Sequence, residues 1–264
     1  MTGAAFGRRT DMNGVKVSFH PAGHVLGSAQ VRVEHRGEVW VVTGDYKLED
    51  DGISGAFEPV KCNTFITEST FGLPVYRWQP QSAVATEIDE WWRRNQELGR
   101  ASVLYTYSLG KAQRVLSLLD RQAGPICVHQ SVAKLNAAYR AEGIDLPADT
   151  NGDDLTKEEK SRAIIVAPSA TEDSRWLRGF RSQSTGFVSG WMRIRGGRRR
   201  GNYDRGFVMS DHVDWPGMLS AIKDSEAERI LVTHGYAAQA VRYLQEQGKD
   251  AGLLETKFGS DGEE

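Results

Sequence analysis

The stretch HPAGHVLGSAQ, residues 20–30, joins two strand-like runs and decides how the rest of the chain is read. Before it, Val15, Val17 and Phe19 alternate with Lys16, Ser18 and His20, the period-2 pattern of a half-buried strand. After it, Ala29, Val31 and Val33 repeat the alternation. His35-Arg36-Gly37 then supplies a turn, and Val39 to Val42 returns as a hairpin partner. A further strand, Thr64 to Thr67, runs into Glu68. The opening of the chain is therefore β.

Past Pro74 the period changes. Residues 82–98 read as a helix with Val84, Ile88, Trp91 and Trp92 toward one side, and Val103 to Tyr105 as a strand. A Ser108-Leu109-Gly110 turn leads into a helix that gathers Ala112, Val115, Leu116 and Leu119 on one face. Ile126 to His129, a helix from Val132 to Glu142, and a strand Ala163 to Ala167 continue the alternation, which predicts an α/β domain with a largely parallel sheet. Asp145 to Lys160 is polar and reads as an exposed loop. Arg193 to Arg205 is a basic run. Beyond it come a strand Gly206 to Met209, a helix after Trp215, a strand Arg229 to Val232 and a helix from Ala237 to Gln247.

Composition narrows the classes. At 264 residues with 39% hydrophobic side chains the chain can bury a sizeable core. Its formal charge of -2 gives no overall nucleic-acid signal, so any basic surface must be local. Cys62 and Cys127 alone make no disulfide framework, which suits a reducing compartment. No apolar run approaches the roughly 20 residues that span a bilayer, and the opening MTGAAFGRRTDMNG lacks a signal-peptide core. A cytoplasmic protein without membrane contact is the expectation.

The chemistry-bearing residues fall at strand ends. Asp45 follows VWVVTG, Glu68 follows TFIT, His212 follows GFVMSD and His234 follows RILVT. Strand ends of one sheet can converge on one crevice, where α/β proteins place their ligands. A single histidine at such a place is more often a hydrogen-bonded structural residue, and His20, His35 and His129 are read that way. Repetition at four strand ends is what turns the set into a candidate site. Asp211 and Asp214 flank His212, to orient it or to cap the following helix.

The series SFHPAGHVLGSAQ, VVTGDY, TEST-FG, SDHVDW and VTHGY resembles the β-CASP group of metallo-β-lactamase-fold nucleases. FVSGWM-R-RG followed by RGF-SDH-DWPG makes the pattern most similar to the bacterial ligase-associated DNA exonucleases, from about Val15 to Phe258. The resemblance implies an α+β fold, a metallo-β-lactamase αββα sandwich with an inserted β-CASP α/β domain. Residues 1–74 and 199–264 would form the sandwich, and 75–198 the insertion. It further implies a hydrolase with two zinc ions. His24 would bind one metal, Asp45 would bridge both, His234 would bind the second, and Glu68 with His212 would form the pair that protonates the leaving oxygen. A bridging carboxylate suits cations roughly 3.5–4 Å apart, and neutral imidazole suits zinc.

The resemblance also implies a His-x-His-x-Asp-His cluster upstream of Val15. The sequence has six histidines and no His-x-His. Four ligands go with it, so the chain reads as an N-terminally truncated member, incomplete in its sandwich and inactive alone, rather than as a decayed paralogue. Every later motif is intact. For nucleic acid, Lys111 after the Gly110 turn is a candidate phosphate contact, and Arg198, Arg199 and Arg200 could track a backbone. Trp191 reads as packing or as a base platform. The expected activity is DNA exonuclease action in repair, alongside a DNA ligase. The alternatives are an RNA-processing β-CASP nuclease, toward which His234 leans, and a non-catalytic nucleic-acid-binding paralogue. A small-ester hydrolase would have no need of the inserted domain.

Overall fold

A computed structural model of the chain describes residues 4–172, 174–194 and 203–254. The chain forms two compact units, Met1–Arg77 with Asp211–Glu264, and Trp78–Ser210.

In the first unit, strands β1 (Thr10–Met12), β2 (Val15–Pro21), β3 (Ala29–His35), β4 (Glu38–Val42) and β5 (Thr64–Ser69) lie side by side in chain order. Two-residue turns join the first pairs. Arg36-Gly37 has φ of 52° and 87°, and Asn13-Gly14 has 57° and 85°. Positive φ at both central positions is the requirement of the hairpin turn that matches strand twist. The Asn-Gly pair is the signal for β1, which the alternation beginning at Val15 did not reveal.

The second unit is a five-stranded parallel sheet: β6 (Ala101–Tyr105), β7 (Ile126–Val128), β8 (Ile164–Ala167), β9 (Gln183–Val188) and β10 (Arg205–Phe207), in the order β10-β9-β6-β8-β7. Its helices are α1 (Gln81–Glu97), α2 (Lys111–Leu118), α3 (Gln130–Ala141) and α4 (Lys157–Arg162). Strands β6 and β8 are buried along their whole length, as central parallel strands covered on both faces must be. The segment expected as an exposed loop closes in α4. Thr156 and Glu159 form a reciprocal capping box there, so a T-x-x-E start signal inside the polar run was overlooked. The return to the first unit follows Ser210, not residue 198. The physical reason is β10, which pairs in parallel with β9 and sets Phe207 edge-on against Trp91 at 5.4 Å.

Helix α5 (Trp215–Asp224), β11 (Arg229–Gly235), helix α6 (Ala237–Glu246) and β12 (Asp250–Leu253) complete the first sheet, in the order β1-β2-β3-β4-β5-β11-β12. Pairing is antiparallel as far as β4 and parallel beyond it. One face packs Val41, Phe65, Ile230 and Val232 against Trp215, Met218, Ile222, Ala240 and Leu244 of the two helices. Strand register then places Val17, Phe19, Val31, Val33, Trp40, Val42, Ile66 and Leu231 together on the other face. That face is apolar across five strands, and Trp40 and Val42 on it are both 37% exposed. Among the described residues no helix is long and apolar enough to cross a membrane.

Candidate metal and proton-transfer site

All five chemistry-bearing residues belong to the first unit, and three of them, Asp45, Glu68 and His234, are set by the ends of the neighbouring strands β4, β5 and β11. His24 lies in the loop after β2. Gly23 beside it has φ of 75°, and a Cβ there would stand 2.2 Å from the Lys47 carbonyl oxygen. Only glycine lets the two loops approach this closely, and the Lys47 N–H donates to the Ala22 carbonyl at 3.0 Å to seal them. The contact fixes His24 relative to Asp45, two residues before Lys47. Ser28 Oγ accepts from the backbone N–H groups of His24 and Val25.

The His24 ring is oriented by its other nitrogen. Nδ1 lies 3.0 Å from the Asp211 carbonyl, which can only accept, so Nδ1 carries the proton. Nε2 faces Asp45 Oδ2 at 3.9 Å. A histidine that donates one N–H to a carbonyl and turns the other nitrogen toward a carboxylate has the arrangement of a metal ligand.

His234 approaches Asp45 from the opposite side, Nε2 to Oδ1 at 3.2 Å. It sits at the end of β11, past a break in register between Val232 and Gly235. Gly235 has φ of 85°, and a Cβ there would lie 2.3 Å from the Ser69 carbonyl oxygen. Ser69 Oγ donates to the His234 carbonyl at 2.6 Å. Each oxygen of Asp45 thus faces a different imidazole. The hydrogen bond from His234 holds the Asp45 carboxyl below its ordinary range against the opposing effect of burial, and the charges of His212 and His24 add to it. The same bond raises His234.

Glu68 and His212 form the second half. His212 Nδ1 lies 3.0 Å from both oxygens of Glu68. The Glu68 side chain is fully buried and also accepts from the backbone N–H of Tyr46 at 3.0 Å and of Thr70 at 3.3 Å. With its lone pairs taken by donors, Glu68 serves to orient His212. Burial is the largest single influence on His212 and opposes its charge. The Glu68 bond and the charges of Glu68, Asp211 and Asp45 together outweigh it and raise the imidazole above its usual range. Asp214 caps α5 by accepting from Gly217 N–H at 2.9 Å, so of the two flanking aspartates one is a cap and the other orients His24 through its backbone.

Ligand-type atoms of His24, Asp45 and His212 lie within 4.8 Å of one another, and so do those of Asp45, Glu68 and His234. With Glu68 and His212 paired to each other, the atoms left to hold a cation are those of His24, Asp45 and His234, nitrogen and oxygen donors of the kind that suit zinc. Gly23, Gly235 and the Asp211 carbonyl are the contributors that the reading of strand ends missed. A glycine directly beside each of two histidines was the available signal.

The other candidates divide. His20 is held between Ser18 Oγ at 3.1 Å and Glu58 at 2.9 Å, and His129 accepts from Ser131 N–H as the cap of α3, both structural. Lys111 is corrected: its side chain is buried, 3% exposed, with Nζ 4.5 Å from the centre of the Tyr107 ring, so it is not presented as a surface phosphate contact. Arg198, Arg199 and Arg200 lie outside the described residues.

No family model matches the chain. It is 30% identical over 237 residues, 89% of its length, to a protein of Opitutus terrae named probable DNA ligase, of which it covers 23%. It is 33% identical over 117 residues to the cleavage and polyadenylation specificity factor subunit 3 of Dictyostelium discoideum, 43% of this chain and 15% of that one. Over 112 residues it is 33% identical to the endoribonuclease YSH1 of Saccharomyces cerevisiae, 42% of this chain and 14% of that one. The chain therefore spans less than a quarter of the length of these relatives. A crystal structure of a protein of unknown function from Enterococcus faecalis V583 matches 98% of the chain and 66% of its own, with a TM-score of 0.62 at 10% identity, a likeness of fold alone.

Proposed function

We propose that this chain, which belongs to the β-CASP group of metallo-β-lactamase-fold nucleases, carries the bridging-carboxylate and leaving-group half of a metal-dependent phosphodiesterase. The observation that supports this best is Asp45 seated between two imidazoles with the His212–Glu68 pair alongside. Bound zinc ions would supply Lewis acidity that activates water and neutralises charge on the phosphoryl group. Of the chain's own residues, His24 and His234 would each hold one ion, and Asp45 both. Glu68 keeps His212 charged and aimed, and His212 gives its proton to the departing oxygen, which then leaves as a neutral hydroxyl. The three ligands found among the described residues, shared between two ions, fall short of tetrahedral coordination, so they are expected to hold metal weakly and support slow turnover.

DNA is the proposed substrate, attacked from an end, because the similarity that extends over most of the chain is to a protein named for DNA ligation. A partnership with a ligase follows from the same similarity. RNA is the second reading, supported by the names of the two relatives that match 42–43% of the chain and by His234.

The test uses end-labelled single-stranded DNA and RNA of one sequence, with added zinc or manganese. His212→Gln is expected to lower turnover at least 100-fold while metal binding persists, the size typical of a lost general acid. Asp45→Asn is expected to abolish both. Metal loss in His212→Gln would place that residue in the coordination sphere, unchanged turnover in both variants would move catalysis away from these residues, and strand binding by the wild type without turnover would leave a non-catalytic binding protein.

A further inference from the structure

The parallel sheet of the second unit has a position where its connections part. From β6 the chain runs by α2 to β7 on one side, and from β9 it runs to β10 on the other, yet β6 and β9 are neighbours in register from Ala101↔Gln183 to Tyr105↔Phe187. Open α/β sheets receive ligands in the crevice that this divergence opens beyond the carboxyl ends of two such strands.

What stands there is aromatic. Two residues past β6 comes Tyr107, 59% exposed, and past β9 comes Trp191, 38% exposed. Both sit on fixed backbone. The Tyr107 carbonyl accepts from Thr106 Oγ1 at 2.9 Å and from the Ala112 N–H at 3.1 Å, and the Lys111 ammonium packs on the ring. Trp191 belongs to a tight turn, Gly190–Arg193, in which Ser189 Oγ accepts from its N–H at 3.3 Å. Met192 of that turn is buried against Gly206. One residue of the turn anchors it while the indole points outward. An exposed aromatic is ordinary when single. Two of them on turns held by hydrogen bonds follow the ends of neighbouring strands, where Tyr105 lies opposite Phe187 in register.

We propose that Tyr107 and Trp191 stack the unpaired bases of a single-stranded nucleic acid. Every base offers a π-face, so this contact tolerates sequence and excludes intact duplex, whose bases are already stacked. The Lys111 ammonium, 4.5 Å from the centre of the Tyr107 ring, sets a positive charge against that ring. The inference rests on the nuclease reading and deepens it, by stating the strandedness of the substrate and the residues that hold its bases.

The experiment measures equilibrium binding by the full chain, in chelator to prevent cleavage. The probes are fluorescent dT and rU oligomers and an abasic oligomer with the same number of phosphates. The wild type is expected to favour dT or rU over the abasic strand by about 5- to 150-fold for each stacked base. The two base-bearing arms separate DNA from RNA. Tyr107→Ala and Trp191→Ala should each shrink that ratio with little change in abasic binding, and Tyr107→Phe and Trp191→Phe should restore it. Equal affinity of the wild type for base-bearing and abasic strands overturns the platform, and needs no variant to fold. Ratios unmoved in folded alanine variants overturn it as well, as do equal losses on all probes. Absence of binding to any oligomer removes the nucleic-acid reading itself.

Discussion

Gly23→Ala tests whether the loop after β2 is placed by a backbone contact or merely occupies convenient space. At φ of 75° an alanine costs roughly 1–2 kcal/mol more than glycine in its left-handed conformation. Restricting the unfolded chain returns roughly 0.4–1 kcal/mol of that. The added Cβ also meets the Lys47 carbonyl oxygen at 2.2 Å and must retreat by about 1 Å to reach ordinary contact. Overpacking of this kind typically costs about 1–3 kcal/mol. The sum is a loss of roughly 2–4 kcal/mol. Gly37→Ala is the control: its φ is 87°, with nothing within 4 Å of the added Cβ, so it should lose about 1 kcal/mol and no more. Urea unfolding of both variants measures the difference. Because His24 follows Gly23 and Asp45 precedes Lys47, the same shift opens the 3.9 Å approach of His24 to Asp45. Zinc affinity should therefore fall at least 10-fold in Gly23→Ala and stay level in Gly37→Ala. Equal stability losses in the two variants, or an unchanged zinc affinity in a destabilised Gly23→Ala, would refute the claim that this contact positions the ligand.

Three further outcomes are expected. In the metal-free chain the imidazole of His212 is raised in the folded state from 6.5, so the stability it contributes is full below that value and is lost as pH rises through the folded value. Unfolding of the wild type in chelator should show this decline above pH 6.5, and His212→Gln should flatten it; a variant curve parallel to the wild type would assign the decline elsewhere. Trp40→Lys combined with Val42→Thr should lower binding of an apolar dye and raise solubility while changing stability by no more than about 1 kcal/mol, since both side chains are partly exposed on an apolar sheet face. Unchanged dye binding would mean that face is covered in solution. Replacing Arg198, Arg199 and Arg200 with alanine should reduce the salt dependence of single-strand binding by up to about one logarithmic unit of slope per lost phosphate contact, and an identical slope would return the run to a solvated loop.

Residues separated by a strand period or by a turn motif were readable because their physics is local. The alternation of Val15, Val17 and Phe19 names a strand and its faces without knowledge of neighbours, and Ala237 to Gln247 names a helix in the same way. Asp45, Glu68 and His234 were readable for a related reason, since strands lying side by side in one sheet bring their ends together, whereas the strand before His212 belongs to the other sheet. What remained hidden depends on which atoms meet across long separations. Lys111 stands where a phosphate-binding lysine would stand, yet its side chain turns into the Tyr107 ring, a choice made by packing. The boundary expected near residue 199 lies later because Arg205–Phe207 pairs with β9 and Phe207 meets Trp91, contacts between residues far apart in sequence.

The glycines carry the sharpest form of this argument. Gly23 and Gly235 look in sequence like many other turn glycines, and Gly14, Gly37 and Gly248 share their positive φ. They differ in having a carbonyl 2.2–2.3 Å from the missing Cβ, from Lys47 in one case and Ser69 in the other. Those carbonyls lie beside the strand ends that bear Asp45 and Glu68. The site is thus assembled by two backbone-to-backbone approaches, each delivering one histidine to one side of a single carboxylate. The two histidines stand on either side of Asp45 at 3.9 and 3.2 Å. Because backbone approaches set this geometry, a single methyl group at Gly23 is expected to reach the metal site.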